Sequence, residues 1–358
     1  MDPVLEEFSA RVRQAAGGQR RLRLRGGGTK DFYGQSLDGE ILDTRGYAGI
    51  VAYEPSELVI TARCGTPLAE IEAAMRERGQ MLAFEPPHFG SGATVGGMTA
   101  AGLSGPRRQA AGAVRDFVLG VKIIDGRGEV LSFGGQVMKN VAGYDVSRLM
   151  AGSLGTLGLI VEVSLKVLPL PVAEATLKLE LPEDKAIAQL NAWGGKPLPI
   201  SASAWTDGEL GVRLSGAAAA VRPACEIIGG ERIDNAKAAN FWNGIREQSD
   251  PFFPAQMEDA APLWRISVPS ATPPLGLTGA QMIEWGGALR WLASNADART
   301  VREAARRAGG HATLFRGGEK SIGVFQPLAP VLTNLHRELK RERDPQAVFN
   351  VGRMYADF

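Results

Sequence analysis

Cysteine, histidine and net charge are all scarce in this sequence of 358 residues. It contains two cysteines and three histidines, and 40 Lys and Arg residues nearly balance 39 Asp and Glu residues. The two thiols, Cys64 and Cys225, are too few for a four-cysteine iron–sulfur cluster or zinc site. Any metal-centred redox step would therefore belong to another chain, and we expect both cysteines to be small buried apolar residues. A formal charge of +1 gives no reason to expect nucleic acid or an anionic membrane as a partner.

Long apolar runs are missing as well. No uninterrupted apolar stretch approaches the roughly 18–20 residues that a membrane helix needs. The first residues, Met1 to Glu7, lack the basic and apolar regions of a signal peptide. We therefore expect a cytoplasmic protein without a transmembrane segment.

Glycine, by contrast, is abundant. The sequence has 45 glycines in 358 residues, whereas a usual content of about 7% would give about 25. The excess is concentrated in discrete loops between residues 26 and 158. Glycine lets a backbone turn sharply and approach a ligand closely, so these loops are the candidates for chemistry.

The apolar periodicity predicts two domains. In the first, an opening helix precedes short strands, and a second helix follows Thr66-Pro67; residues 84–112 lose all periodicity. A hairpin over residues 117–133 and a long strand over 159–168 follow, and Pro169 and Pro171 end that strand. Residues 171–339 then alternate strands and helices in the way typical of a mostly antiparallel sheet with helices on one face. The last amphipathic helix carries Leu328, Val331, Leu332, Leu335 and Leu339.

The first glycine loop, Arg25–Lys30, follows a predicted strand and can present N–H groups to an anion. It lacks the spacing of a Walker A loop, and no helix pattern begins there as a Rossmann fingerprint requires. A second loop, Ser91–Gly105, has almost no bulky side chains and can pack against a flat ring or a pyrophosphate. A plain turn and a tightly packed buried loop are the respective alternatives.

Together with later segments, these loops resemble the FAD domain of the vanillyl-alcohol-oxidase (PCMH-type) flavoprotein family. The resemblance implies an α+β fold, in which a PCMH-type FAD-binding domain of two α/β subdomains precedes a smaller antiparallel-sheet cap domain. The pair Pro169 and Pro171 marks the predicted boundary between domains at 1–170 and 171–339, and the tail 340–358 returns to the first. The segments that carry the resemblance are Arg25–Thr29, Gly92–Gly105, Gly143-Tyr144-Asp145, Gly152–Gly158 and Phe349–Met354.

Further segments are similar to the FAD-binding E subunits of bacterial glycolate oxidases. That similarity implies glycolate as substrate, and as partners a larger homologous FAD-binding subunit and an iron–sulfur subunit. Through these partners the chain could lie peripherally at the inner membrane. The segments are Glu85–Gly90, Ala101–Arg108, Val137–Asp145, Trp264-Arg265, Trp285-Gly286-Gly287 and Gly310–Phe315.

The family resemblance also implies roles for single residues. Arg25, Gly26, Gly27, Gly28 and Thr29 belong to the loop that holds the pyrophosphate. The isoalloxazine and ribityl chain would be lined by Thr94, Gly96, Gly97, Thr99, Gly102, Ser104 and Gly105. Gly158 and Ile160 would contact the adenine end, and Asn350 and Arg353 would close over the flavin. Members with covalent flavin carry His in the first loop or Cys in the second, whereas Thr29 and Lys30 stand here, so we expect non-covalent FAD.

Oxidation of a 2-hydroxy acid needs a cation for the carboxylate, a base for the hydroxyl proton and an acceptor for the hydride. His88 and His311 are the candidate bases, with structural packing as the alternative for each, whereas His336 should be solvated. Candidate carboxylate anchors are Arg265, Arg290 and Arg316. The three histidines are far apart in sequence and lack the His-x-His spacing of the related catalytic dehydrogenases, so we expect no metal.

Three hypotheses about function follow. The first is a flavin subunit that relays electrons within a glycolate-oxidising complex. The second is a self-sufficient FAD-dependent 2-hydroxy-acid dehydrogenase, and the third is a non-catalytic assembly subunit with a vestigial pocket.

Overall fold

The structure is a computed structural model that describes residues 2–35, 38–135, 144–253, 260–356 and 358. Of the predicted segment Val137–Asp145, residues 137–143 lie outside these residues. The chain divides into two compact units. The first comprises Met1–Leu103, Gly112–Pro169 and Pro327–Phe358, and the second comprises Ser104–Ala111 and Leu170–Gln326.

The first unit combines a small parallel strand pair with a larger antiparallel sheet. Its helices are α1 (Pro3–Gly17), α2 (Leu68–Glu77), α3 (Val95–Ala101), α5 (Val114–Phe117), α6 (Val146–Met150) and α11 (Pro330–Arg343). Its strands are β1 (Leu22–Arg25), β2 (Glu40–Asp43), β3 (Ile50–Glu54), β4 (Val59–Arg63), β5 (Gln80–Met81), β6 (Val118–Ile124), β7 (Val130–Gly134), β8 (Leu159–Lys166) and β9 (Leu168–Pro169). Among the described residues, β1 pairs with β2 in parallel, β5 pairs with β9, and a five-stranded antiparallel sheet has the order β3-β4-β8-β6-β7.

The C-terminal tail is part of the core of this unit. Val348 and Phe349 are fully buried in one cluster with apolar residues of α1, β1, β2 and β8. Leu22 N–H of β1 donates to the Val348 carbonyl oxygen at 2.7 Å, and Asn350 N–H donates to the Leu22 carbonyl oxygen at 3.0 Å. The tail therefore continues the parallel pairing of β1, and this position brings Asn350 and Arg353 to the glycine loops.

The second unit contains the larger sheet. Its helices are α4 (Arg108–Ala111), α7 (Glu183–Gly194), α8 (Ala218–Ile228), α9 (Asn235–Glu247) and α10 (Ala298–Arg307). Its strands are β10 (Ala173–Glu180), β11 (Ile200–Thr206), β12 (Glu209–Gly216), β13 (Glu231–Ile233), β14 (Leu263–Ser267), β15 (Ala280–Glu284), β16 (Leu289–Ala293) and β17 (His311–Arg316). Within the described residues these strands form one antiparallel eight-stranded sheet with the order β13-β10-β12-β11-β15-β16-β14-β17.

One detail of the predicted cap domain, that its helices share one face, is wrong. Strand residues alternate between the two faces of a sheet. Ala175 and Leu177 of β10 join the core cluster with α7 and α8, whereas Thr176 between them accepts a hydrogen bond from Trp242 Nε1 of α9 at 2.9 Å. Helix α9 therefore covers the opposite face from α7 and α8.

The prediction of an irregular segment over residues 84–112 is wrong at residues Val95–Ala101, which form helix α3. Gly96 and Gly97 lower the helix propensity of this stretch. Three local features compensate: the Thr94 hydroxyl accepts from Gly97 N–H at 3.3 Å, Val95 and Met98 are buried, and Gly102 ends the helix with φ +64°. Capping and burial together outweigh the weak propensity.

Two segments fall in a different unit from the one predicted. Residues 104–111, expected with the flavin loops, group with the second unit, and α11, expected with the cap domain, groups with the first. The predicted apolar stripe of α11 is largely exposed at Val331, Leu332 and Leu335. Its one fully buried residue is Lys340, which polar groups hold in place. No helix in the described ranges is long and apolar enough to cross a membrane.

Candidate functional site

A cavity opens to solvent in the first unit, where three glycine-bearing segments and the tail meet. Twelve of the predicted cofactor residues line it: Arg25, Gly26, Gly27, Gly28, Thr29, Thr94, Gly96, Gly97, Gly158, Ile160, Asn350 and Arg353.

The first two glycine loops touch each other directly at this cavity. A Cβ atom placed on Gly27 would overlap the carbonyl oxygen of Gly92, and one placed on Gly26 would overlap the hydroxyl of Thr94. Only glycine allows the two backbones to come this close. Where these two loops meet, backbone packs closely against the neighbouring loop.

The charged side chains at the cavity are mostly cationic. Among the described lining residues, Arg23, Arg25, Lys30 and Arg353 are positive and Asp31 alone is negative. Asp31 Oδ2 accepts from Arg23 Nη2 at 2.7 Å and from Arg25 Nε at 2.8 Å, so it fixes the positions of both. The remaining positive charge favours a ligand that carries phosphate.

Arg353 ties the tail to the first loop. Its guanidinium donates to the carbonyl oxygens of Gln35 at 2.9 Å, Lys30 at 3.2 Å and Asp31 at 3.0 Å. Burial lowers the pKa of Arg353 to about 10, an effect that the charge of Asp31 partly opposes. The side chain is therefore still a cation at neutral pH.

Asn350 joins three segments through one amide group. Its Oδ1 accepts from Leu24 N–H at 2.8 Å, and its Nδ2 donates to the Leu154 carbonyl oxygen at 2.7 Å. The backbone has φ +42°, a left-handed conformation in which Asn is enriched. A Cβ on Gly155 would lie 2.7 Å from Asn350 Nδ2, so the glycine of the third loop makes room for this amide.

We expect Asn350→Asp to weaken cofactor retention, because a carboxylate oxygen would replace the donor that faces the Leu154 carbonyl. An unsatisfied buried acceptor costs about 1–3 kcal/mol. The measurement is flavin affinity by fluorescence titration together with urea unfolding. Asn243→Asp is the matched control, because Asn243 is exposed and its Oδ1 already accepts from Arg246. Equal behaviour of the two variants would contradict the role given to Asn350.

Cys64 is a lining residue that sequence reasoning missed. It is buried at the cavity, where a Cβ on Gly96 would lie 2.6 Å from its own Cβ. Burial raises the pKa of the Cys64 thiol to about 12, and a hydrogen bond with Thr44 opposes this shift. The thiol is therefore protonated at neutral pH, whereas a thiolate is the nucleophilic form.

Four predicted cofactor residues, Thr99, Gly102, Ser104 and Gly105, are not among the lining residues of this cavity. The Thr99 hydroxyl is buried and donates to the Val95 carbonyl oxygen. Gly102 caps α3, and its φ of +64° and close approach to Gly152 give it a packing role. Ser104 and Gly105 belong to the second unit, where the Gly105 carbonyl accepts from Trp285 Nε1.

Neither candidate base is a lining residue of the cavity. His88 Nε2 lies 3.1 Å from Glu72 Oε2, so a carboxylate orients its ring. His311 begins β17 of the second unit, where burial of its ring and then the charge of Arg265 lower its pKa. His336 is on α11, where its Nδ1 lies 2.8 Å from the Leu332 carbonyl oxygen.

The candidate carboxylate anchors differ in what surrounds them. Arg290 is 1% exposed, and it donates to the carbonyl oxygens of Gly287 and Thr272, with Glu183 at 3.7 Å. Burial lowers its pKa to about 10. Arg316 lies at the end of β17 beside the Phe315 ring, and burial lowers its pKa too. Of the three arginines, Arg265 is half-buried and stacks on the ring of Trp285.

The other lining residues were not predicted individually as cofactor residues, although Lys30, Ala100, Ala101, Leu154 and Gly155 lie in the predicted glycine segments. Arg23 and Thr44 come from β1 and the loop after β2, and Leu154 precedes β8. No cluster of three or more His, Cys, Asp and Glu side chains suited to a metal occurs in the described part of the chain. The lining residues that were not predicted are Arg23, Leu24, Lys30, Asp31, Thr44, Cys64, Ala100, Ala101, Leu154, Gly155 and Leu159.

Comparison with known proteins identifies relatives of the whole chain. A family described as an FAD binding domain matches residues 5–134. The glycolate oxidase subunit GlcE of Escherichia coli (strain K12) is 50% identical over 97% of this chain and 96% of its own length. The glycolate oxidase subunit GlcD of Bacillus subtilis (strain 168) is 33% identical over 36% of this chain and 27% of its own length.

A solved structure of similar fold is that of alkyldihydroxyacetonephosphate synthase. Its TM-score is 0.67 at 16% identity, over 96% of this chain and 75% of that protein. This similarity concerns the fold alone, and with the family match it confirms the predicted α+β, FAD-binding architecture.

Proposed function

The chain belongs to the family of the glycolate oxidase subunit GlcE, and from this premise we propose that it holds FAD at the glycine-lined cavity as one subunit of a glycolate-oxidising complex. The observation that carries the proposal is the meeting of three glycine loops, four cationic side chains and the tail at one cavity. Oxidation of glycolate to glyoxylate by the complex makes the chain part of an oxidoreductase.

The residues at the cavity fit the chemistry of FAD. The cofactor contains a pyrophosphate, for which the Gly26–Thr29 loop offers a backbone wall next to Arg25 and Lys30. Its flat isoalloxazine and ribityl chain match Gly96 and Gly97, which have no side chains to obstruct a ring. Gly158 and Ile160 serve the adenine end, and Asn350 and Arg353 close the site from the tail.

FAD supplies the electron acceptor when it is bound. The chain's own residues bind and orient it. Arg23 and Arg25, fixed by Asp31, keep positive charge at the cavity. The first loop places Thr29 and Lys30 where a tethering histidine would stand, and the high pKa of Cys64 keeps its thiol from acting as a nucleophile. The flavin is accordingly non-covalent.

Electron relay, rather than complete turnover, is the role we assign to this subunit. His88, the nearest candidate base in sequence to the flavin loops, is paired with Glu72 and does not line the cavity. In the proposal, the larger homologous FAD-binding subunit oxidises glycolate, and electrons pass to an iron–sulfur subunit. The complex works in the cytoplasm, peripheral to the inner membrane through those partners.

The test uses the purified chain, first alone and then with its larger partner subunit. We expect an oxidised flavin spectrum, complete release of the flavin when the protein is precipitated with acid, and no anaerobic bleaching by glycolate until the partner is added. Bleaching of the isolated chain would establish the self-sufficient dehydrogenase instead. A preparation without flavin bands that also fails to take up added FAD would establish the assembly subunit, and flavin retained in the precipitate would contradict non-covalent binding.

A further inference from the structure

A second cationic feature lies within the second unit, centred on the indole of Trp285. The Arg108 guanidinium stacks on this ring with its Cζ 4.3 Å from the ring centroid, and the Arg265 Cζ lies 5.3 Å from the same centroid. Arg108 begins α4, Arg265 is in the middle of β14, and Trp285 follows β15. Three separate segments therefore bring two positive charges to one aromatic ring.

Trp285 is held rigidly. It is 4% exposed, and its Nε1 donates to the Gly105 carbonyl oxygen at 3.1 Å. Its φ is +52°, an unusual conformation for a bulky residue, which persists only where the surroundings impose it. The next residue is fixed as well, since Gly286 N–H donates to Ser203 Oγ at 3.0 Å and a Cβ there would overlap the Gln109 side chain. Strained, over-determined backbone of this kind concentrates at ligand sites.

Within the described residues, Arg265 has no anionic partner of its own. Stacking on Trp285 positions its guanidinium, but no carboxylate or other hydrogen-bond acceptor binds it among the described residues. Arg107, which precedes Arg108 in the sequence, differs, because its Nη2 donates to Glu174 at 2.7 Å. A half-buried guanidinium with free donors is a ready-made partner for an oxyanion.

The face of the sheet around Arg265 adds a further polar group. Ser267 lies opposite His311 in the β14–β17 register, and Arg265 lies opposite Thr313. Residues two apart on a strand share a face, so Arg265 and His311 point to the same side. The positive charge of Arg265 is one cause of the lowered pKa of His311, which keeps that imidazole neutral and able to exchange a hydrogen bond with a hydroxyl or carbonyl group.

We propose that Arg265, with Arg108 and Trp285, forms a binding site for a small organic carboxylate in the second unit. This site deepens the proposed function, on which it rests, because it gives the carboxylate of the 2-hydroxy-acid substrate a place in the second unit. A carboxylate is planar and matches the guanidinium fork with two parallel hydrogen bonds, and stacking on Trp285 holds that fork in place. His311 on the same sheet face fits a 2-hydroxy or 2-oxo group next to the carboxylate.

Isothermal titration of the full-length, FAD-loaded chain with glycolate tests the site. We expect the wild type to bind glycolate, and Arg265→Gln to bind it about tenfold more weakly or worse. Arg265→Lys should also be weaker, since it keeps the charge but loses the planar fork. Arg299→Gln is the control, because Arg299 is an exposed arginine paired with Glu303, and it should bind like the wild type.

Flavin absorbance of each preparation separates this proposal from the proposed function. A wild type without flavin would overturn FAD binding, while glycolate titration would still report on the second unit. Unchanged glycolate affinity in flavin-loaded Arg265→Gln would overturn the carboxylate site alone. Absence of glycolate binding by the wild type, or its displacement by equimolar inorganic phosphate, would overturn it as well.

Discussion

Alanine at Gly27 should reduce the FAD affinity of the chain about ten- to hundredfold. A methyl group there would overlap the carbonyl oxygen of Gly92, so the first two glycine loops must separate to accept it. Overpacking of this kind costs about 1–3 kcal/mol. Because both loops form the cavity wall, the cost falls on cofactor binding, where each 1.4 kcal/mol is about tenfold in Kd.

The measurement for Gly27→Ala is the flavin-to-protein absorbance ratio after purification, followed by titration of the apoprotein with FAD. Gly46→Ala is a matched control, because a Cβ at this exposed glycine meets no atom within 4 Å and its φ is not left-handed. We expect the control to retain wild-type flavin content. Wild-type affinity in Gly27→Ala would mean that the contact between the loops does not shape the cofactor site.

Loss of the buried cation Lys340 should destabilise the chain by about 3–5 kcal/mol. Its Nζ uses all three donors: Asp344 Oδ2 at 2.6 Å and the carbonyl oxygens of Thr156 at 2.8 Å and Phe349 at 2.7 Å. Asp344 in turn accepts from Val348 and Phe349 N–H. Lys340→Met would leave this carboxylate buried without its counter-ion and two carbonyl groups without a donor.

Urea unfolding of Lys340→Met, followed by tryptophan fluorescence, checks this prediction. Lys237→Met, at an exposed position of α9, should be nearly neutral. In Lys340→Met/Asp344→Asn the unpaired charge is gone, so we expect the double variant to be more stable than Lys340→Met alone. A loss below about 1 kcal/mol in Lys340→Met would show that the ion pair does not hold the tail.

Sequence reasoning found the cavity because glycine loops leave a local trace. Gly26 to Gly28 and Gly96 to Gly97 stand out in the sequence, and the need for close backbone approach is a property of glycine itself. The order of the motifs then indicated the fold. Helix α3 was not predicted, because Gly96 and Gly97 lower the helix propensity of this stretch. The capping hydrogen bond of Thr94 became evident only in the structure.

The burial of single side chains and the contacts between distant segments could not be predicted from the sequence in the same way. Arg290 and Arg265 both lie in predicted strands, yet one is enclosed by carbonyl groups and the other is half-buried against Trp285. Cys64 was predicted to be buried, but its place at the cofactor cavity depends on the packing of α3. The buried role of Lys340 contradicts the apolar pattern of its helix.

The pairing of β1 with the tail also sets when the cofactor can be captured. Leu24 and Asn350, which meet at the cavity, are 326 positions apart. At about 5–20 residues per second, a ribosome needs about 16–65 s to synthesise the chain between them. Throughout that interval the nascent polypeptide lacks the amide that joins β1 to the third glycine loop. We therefore expect the chain to retain FAD only after the tail has paired with β1.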